Sequence, residues 1–331
     1  MKTKKTLKKE LRLVESLIKK DFVKEKTISD LYDHVFKSKG KKIRAKLNLI
    51  SSSQNKKINK NHRIKLAAII ELLHTATLVH DDVVDNSPTR RGIESVNNIW
   101  TNAHGVLIGD YIYSKAFMYM VDIGNKKILK ELSNATNDIS QGELIQLDAM
   151  NNFEITLNKL KKISYYKTGR LFEASAKTGA LLINANDTYI KNISNCAKDL
   201  GILFQIKDDL LDYSIESKIG KPNFQDLREG KVTYPFFYAY KNSNLNQKKE
   251  LEKMMGNKKL NQKNTIKLVA NLGGIEETKN LDKEYFNKSI NSAKKIRNLK
   301  IREEMIELAK IAINRKKWVL ILKINTPRKN W

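Results

Sequence analysis

Between residues 62 and 84 the chain is apolar nearly all the way round a helix, with Ile64, Leu66, Ile69, Ile70, Leu72, Leu73, Leu78 and Val79, and it closes on Asp81-Asp82-Val83-Val84-Asp85. A helix without a polar face must be enclosed by other helices in the middle of a bundle. Carboxylates at the end of such a stripe are costly unless cations offset them.

The remaining sequence supplies the enclosing helices. Apolar residues recur at helical spacing over 7–23, 106–121, 128–147, 157–182, 189–213, 232–240, 265–271, 279–296 and 301–315. Gly and Pro are scarce, at 14 and 4, and no series of alternating runs bounded by tight turns marks a sheet. An all-α single domain is expected over 1–316, followed by an extension over 317–331 that contains Trp318. The extension has no assigned role; a dimer surface and a membrane contact are both open to it.

No run approaches the roughly 18 apolar residues that span a bilayer, and the basic N-terminus has no apolar segment behind it. The single cysteine, Cys196, excludes an internal disulfide framework and a cysteine-based zinc site. A reducing cytoplasm is the expected location. The formal charge of +27, from 63 Lys and Arg against 36 Asp and Glu, raises the question of nucleic acid or anionic membrane. The excess lysines are scattered in short clusters without interleaved aromatics, so drift in exposed positions is preferred to a polyanion surface.

A second acidic triplet, Asp208-Asp209-Leu210-Leu211-Asp212, repeats the spacing of the first and also ends an apolar stripe. Residues i and i+4 lie one above the other on a helix, which predicts that Asp81 and Asp85 point together, as do Asp208 and Asp212. Hard oxygen ligands of this kind suit Mg²⁺, which is shared between carboxylates and substrate phosphates. One such triplet is easily a solvated helix end; two, each capping a buried helix, point to chemistry.

Polar breaks follow both triplets, over 86–92 with Pro88 and over 217–231 with Gly220, Pro222 and Gly230. Arg90 and Arg91 lie in the first, where an arginine fork can reach a metal-bound phosphate. Lys221 and Lys231 flank the second. Gly40-Lys41-Lys42-Ile43-Arg44 reads as a basic turn, and His74 lies about two helical turns before Asp81 on a similar face. Gly169 interrupts a helical run beside Lys167 and Thr168, a sign of close approach or a kink.

These motifs resemble the trans-prenyl diphosphate synthase (polyprenyl synthetase) family. The segment from Leu72 through Asp85 with Arg90-Arg91-Gly92 is similar to its first aspartate-rich motif, and Phe204-Gln205-Ile206-Lys207 through Tyr213 to its second. Gly109 to Tyr113, Gln141-Gly142-Glu143, Tyr166-Lys167-Thr168 and Glu229-Gly230-Lys231 fall in the family's order, and within it the chain resembles bacterial octaprenyl diphosphate synthases. The resemblance implies a bundle of long antiparallel helices around a central cavity, a homodimer, and about three Mg²⁺ ions per site. It also implies that Asp81, Asp85 and Asp208 hold the metal while Asp82, Asp209 and Asp212 support them. Arg90, Lys167, Thr168, Gln205, Lys221 and Lys231 would bind the allylic diphosphate, with farnesyl diphosphate the expected starter. Lys41, Arg44, His74 and Arg91 would bind isopentenyl diphosphate.

The implied reaction is metal-assisted ionisation of the allylic diphosphate, attack by the isopentenyl double bond, and proton loss. The growing tail should pass Thr77, Ala76 and Leu73, none of them aromatic, towards a floor for which Met120 and Leu132 are candidates and Tyr119 a weaker one. The expected product is octaprenyl, for a quinone side chain, with neighbouring lengths open and a peripheral membrane contact at release. Ala45 departs from the family's usual proline, Lys207 from an apolar residue and Gln225 from an acid. A shorter-chain synthase, a cyclase, a non-catalytic partner subunit and a basic nucleic-acid-binding protein are the rival readings; the last explains the charge and leaves the buried carboxylates unexplained.

Overall fold

The computed structural model describes residues 2–19, 25–38, 40–54, 58–213, 224–257 and 259–315. Lys221 and the 317–331 extension lie outside them. In chain order the elements are α1 (Lys2–Lys19), α2 (Lys26–Lys37), α3 (Ile43–Ser51), α4 (Lys60–Val84), β1 (Thr89–Arg90), β2 (Ile93–Glu94), α5 (Val96–Ile99), α6 (Asn102–Ile123) and α7 (Lys126–Asp148). Then come α8 (Leu157–Ser164), a π-helical turn (Tyr165–Gly169), α9 (Arg170–Leu182), α10 (Asp187–Asp212), α11 (Gln225–Arg228), α12 (Tyr234–Lys241), α13 (Leu245–Met254), α14 (Gln262–Asn271), α15 (Gly274–Lys294) and α16 (Leu299–Ile313). The fold is all-α, as expected, and the hairpin β1–β2 is the only sheet among the described residues.

α4 is buried as its all-round apolar surface requires. Leu66, Ala67, Ala68, Ile69, Ile70, Leu72 and Leu73 are each 0% exposed, and each large side chain so buried stabilises the fold by about 1.5–3 kcal/mol. Asn59 starts the helix by accepting from the N–H groups of Asn61 and His62. α6 lies along α4 at close range because two glycines face it: a Cβ on Gly105 would sit 2.4 Å from Val83, and one on Gly109 2.2 Å from His80. One apolar cluster joins α1, α4, α6 and α7. A second surrounds α10, which packs on α9, α15 and α16.

Several elements depart from the sequence expectation. The expected helix over 157–182 is interrupted by the π-helical turn, which accounts for Gly169: a Cβ on Gly201 of α10 would fall 2.7 Å from the Gly169 Cα. The basic turn is shorter than expected, since Ile43 and Arg44 already belong to α3. Lys42, just ahead of them, takes a left-handed conformation, with φ 51°. Helices α2, α3 and α13 were not anticipated as elements. Among the described residues no helix is long and apolar enough to cross a membrane.

Candidate active site

The first acidic triplet closes α4, with Asp85 as its C-cap. Burial raises the Asp81 carboxyl, the Lys167 and Arg90 charges oppose that, and the neighbouring Asp85 charge adds to it. Asp81 and Asp85, at i, i+4 spacing, are thus close enough for their charges to interact. Asp82 turns the other way, is 5% exposed, and accepts from Nε and Nη2 of Arg90, both at 2.6 Å. The hairpin delivers that arginine. Its two turn residues, Arg91 and Gly92, both have positive φ, at 54° and 78°, which a two-residue type I′ turn demands. Arg91 is a poor residue for that region, at a cost of roughly 1–2 kcal/mol. Its guanidinium lies 2.7 Å from where a Cβ on Gly40 would stand, so Gly40 leaves it room.

The second triplet closes α10. Asp209 is fixed by the Tyr234 N–H at 3.1 Å and by Gln205 Nε2 at 3.0 Å. Burial pushes its carboxyl up to about 7, with the Asp226 charge adding to the effect. Asp212 Oδ1 accepts from the Phe224 N–H at 2.8 Å. Asp208 instead faces Arg315, with which it forms an ion pair. Asp208 and Asp212, spaced to share a helix face, take partners from different segments of the chain.

The two triplets are tied to one site by residues from elsewhere. Lys231 Nζ donates to Asp85 Oδ1 at 2.7 Å and pairs with Glu229 at 2.8 Å. The charge of Lys167 acts on both Asp81 and Asp209. Lys167, carried by the π-helical turn, pairs with Glu143 of α7 at 2.7 Å and donates to Gln146. Thr168 Oγ1 donates to Gln205 Oε1 at 2.9 Å. Gln225 Nε2 donates to Ser87 Oγ at 3.1 Å, linking the loops behind the triplets. Lys207 pairs with Asp282 of α15 at 3.6 Å, so it points away from the site.

A cationic corner adjoins these groups. Arg44 Nη1 lies 2.9 Å from His74 Nε2. A guanidinium only donates, so Nε2 accepts and the imidazole is neutral. Burial, then the Arg44, Arg91 and Arg90 charges, hold the His74 pKa well below its usual value. Burial pushes Lys41 down to about 8. The Lys41 Nζ and Arg44 Nε atoms are buried without a hydrogen-bond partner among the described residues. The basic segment is therefore no solvated loop. Glu71, which sequence reasoning missed, is the buried counter-charge beneath it and accepts from the Ala45 N–H at 2.9 Å. Its signal was an acid standing alone inside the apolar run of α4. Glu143 and Gln146 were missed as site residues too.

Leu73, Ala76, Met120 and Leu132 share one buried cluster, at 0%, 0%, 2% and 0% exposure. Thr77 is half-buried, and its hydroxyl donates to the His74 carbonyl at 2.8 Å. Tyr119 lies partly buried at the cluster's edge, with Lys65 Nζ 5.5 Å from its ring centroid.

Among the described residues no three His, Cys, Asp or Glu side chains are grouped closely enough to hold a metal ion by themselves. The donor chemistry nevertheless fits Mg²⁺. Asp81 and Asp85 present hard oxygens on one helix face, and Mg²⁺ is usually bound by one or two carboxylates, with phosphate oxygens and water completing its shell.

The Polyprenyl synthetase family model matches residues 25–272. The chain is 36% identical over 258 residues to the octaprenyl diphosphate synthase of Escherichia coli, covering 77% of this chain and 80% of that protein. It is 35% identical over 286 residues to a geranyl-diphosphate-specific all-trans-nonaprenyl-diphosphate synthase of Rhodobacter capsulatus, covering 85% and 87%. Its fold is similar to a polyprenyl synthase from Caulobacter crescentus solved with calcium and isoprenyl diphosphate, with a TM-score of 0.85, 30% identity and coverage of 93% and 94%. With the acidic triplets, the cationic corner and these similarities in agreement, the chain belongs to the polyprenyl synthetase family and is a prenyltransferase.

Proposed function

We propose that the chain is a long-chain trans-polyprenyl diphosphate synthase with an octaprenyl product, which extends farnesyl diphosphate with isopentenyl diphosphate for a quinone side chain. The observation that carries this reading is the pairing of Lys231, from the loop behind the second triplet, with Asp85 of the first. It brings the segment that follows the second triplet to the end of the helix that carries the first, and the Lys167 charge, which acts on both Asp81 and Asp209, supports one shared diphosphate site.

In this reading Asp81, Asp85 and Asp208 hold Mg²⁺, which supplies Lewis acidity to the departing diphosphate. Arg90, Lys167, Thr168, Gln205 and Lys231 bind the allylic diphosphate and stabilise the charge that grows on it as the C–O bond ionises. Asp82, Asp209 and Asp212 act by positioning: Asp82 aims Arg90, Asp209 fixes Gln205, and Asp212 anchors the chain at Phe224. Lys41, Arg44 and Arg91 take the isopentenyl diphosphate, and neutral His74 orients Arg44. The apolar wall excludes water from the allylic cation. Diphosphate oxygen accepts the released proton.

The small residue Ala76 and the apolar Leu73 leave the upper tail path free of aromatic side chains, with Met120 and Leu132 the residues proposed to limit its depth. A homodimer is supported by the outer face of α6, where Leu107, Met118 and Val121 form one stripe at 67%, 68% and 71% exposure. Action in the cytoplasm, with membrane contact at product release, completes the reading.

Replacing Asp81 or Asp208 with Ala should lower turnover by a factor of at least about 100 while leaving the far-ultraviolet circular dichroism unchanged. Retained turnover in either variant contradicts the assignment.

A further inference from the structure

Gly142 brings α7 against the π-helical turn. A Cβ there would stand 2.7 Å from Tyr166 Cβ, 3.1 Å from the Lys167 N and 3.3 Å from Lys167 Cγ, so only glycine lets the two backbones lie this close. Gln146 lies one helical turn beyond Gly142 on the same face, and Glu143 adjoins it. Glu143 pairs with the Lys167 ammonium at 2.7 Å, and Gln146 accepts a hydrogen bond from it. The two charged side chains are 20% and 30% exposed for Lys167 and Glu143, so solvent screens their pair only in part.

The same ammonium acts on a second carboxylate. Burial raises the Asp81 carboxyl, and the Lys167 charge is the strongest of those opposing it. Burial raises the Glu143 carboxyl too; Lys167 opposes that, and the Asp81 charge adds to it. One carboxylate from α4 and one from α7 thus compete for one lysine, and among the described residues its hydrogen bonds go to Glu143 and Gln146. A lysine stem is flexible and its ammonium has three donors. Two are taken on α7, which leaves one for a diphosphate oxygen. A freed Lys167 would turn to Asp81, because an ammonium offsets the cost of burying a carboxylate just as a metal ion does.

We propose that Glu143 and Gln146 are positioning residues: they hold the Lys167 ammonium on α7, off Asp81, and so keep that carboxylate open to a divalent cation. The proposal rests on the reading of Asp81 as a metal ligand given above. Held in this way, Lys167 does not compete with the cation, and its third donor stays available to the allylic diphosphate.

The test measures Mn²⁺ binding to the full chain without substrate, by paramagnetic resonance. It compares wild type, Glu143→Gln, Gln146→Leu, Lys167→Ala and the double variant Glu143→Gln with Lys167→Ala. Glu143→Gln should weaken Mn²⁺ by about 10-fold, the size of a competing hydrogen bond to a charged group. Gln146→Leu changes no charge and should weaken it by about threefold. With Lys167 removed the competitor is gone, so Glu143→Gln should then change the affinity by less than about twofold, a coupling that the double-mutant cycle reads directly. An equal loss in both backgrounds would mean that Glu143 acts on the metal through its own charge. No loss in Glu143→Gln would mean that Lys167 keeps its place unaided. Either result overturns the proposal, and so does a wild type that takes up no Mn²⁺ before substrate, since Asp81 is then not open in the free chain. Failure of the functional reading looks different, because wild type itself would then not elongate farnesyl diphosphate when isopentenyl diphosphate and Mg²⁺ are supplied.

Discussion

The N–H of Ala45 donates to Glu71 Oε1 at 2.9 Å, so the residue that stands where the family usually has proline supplies a hydrogen bond to a buried carboxylate. Proline has no N–H to give and disfavours helical backbone at the residue before it, here Arg44. Ala45→Pro should therefore destabilise this protein by about 1–3 kcal/mol, read as a shifted urea midpoint. No shift would mean that Glu71 is satisfied without that bond.

The close approach of α6 to α4 rests on Gly109. A methyl group there would stand 2.2 Å from His80 Nε2, and overpacking of this kind costs about 1–3 kcal/mol. Gly109→Ala should show that loss in denaturant unfolding. In a His80→Ala background the penalty should shrink by at least about 1 kcal/mol, the coupling expected of residues in contact. A penalty that is the same in both backgrounds would locate the strain elsewhere.

Product length should respond to the tail path. Ala76→Phe fills a fully buried position and should shorten the product by several isoprene units. Leu132→Ala and Met120→Ala should lengthen it or broaden its distribution, with a stability cost of about 2–5 kcal/mol. Chromatography of the extracted products checks all three, and unchanged lengths would remove these residues from the path.

Stability should also depend on pH through Asp199 of α10. Burial pushes its carboxyl up to about 6 from 3.8, Lys198 and Lys288 pull it down, and Glu173 adds to the rise. A raised carboxylate pKa means that the folded state keeps a proton which the unfolded chain releases. Stability from this group is thus highest below about pH 4 and is lost as pH rises through about 6. Asp199→Asn should match wild type near pH 4 and exceed it at pH 7.5 by at most about 3 kcal/mol, measured by urea unfolding at both values.

Much of the fold was legible because burial writes itself into helical periodicity. α4 is enclosed for the reason visible in its residues, and both acidic triplets end the helices that their spacing predicts. α13 escaped notice because Leu251 is its buried residue among mostly polar ones; the signal present was the capping box of Asn244 and Gln247. The type I′ turn at Arg91-Gly92 was hidden because an arginine is an unusual occupant of left-handed backbone. At the site, residue types were readable and partnerships were not. Asp208 and Asp212 share a helix face by spacing, but their partners, Arg315 and the Phe224 N–H, come from distant segments that only the folded chain brings close.

The most direct test of the account is chain-length chromatography of the products formed by the full chain from farnesyl diphosphate, radiolabelled isopentenyl diphosphate and Mg²⁺. All-trans products centred on the octaprenyl diphosphate are expected, formed only when the metal is supplied. No elongation, or a single product shorter than hexaprenyl diphosphate, would contradict it.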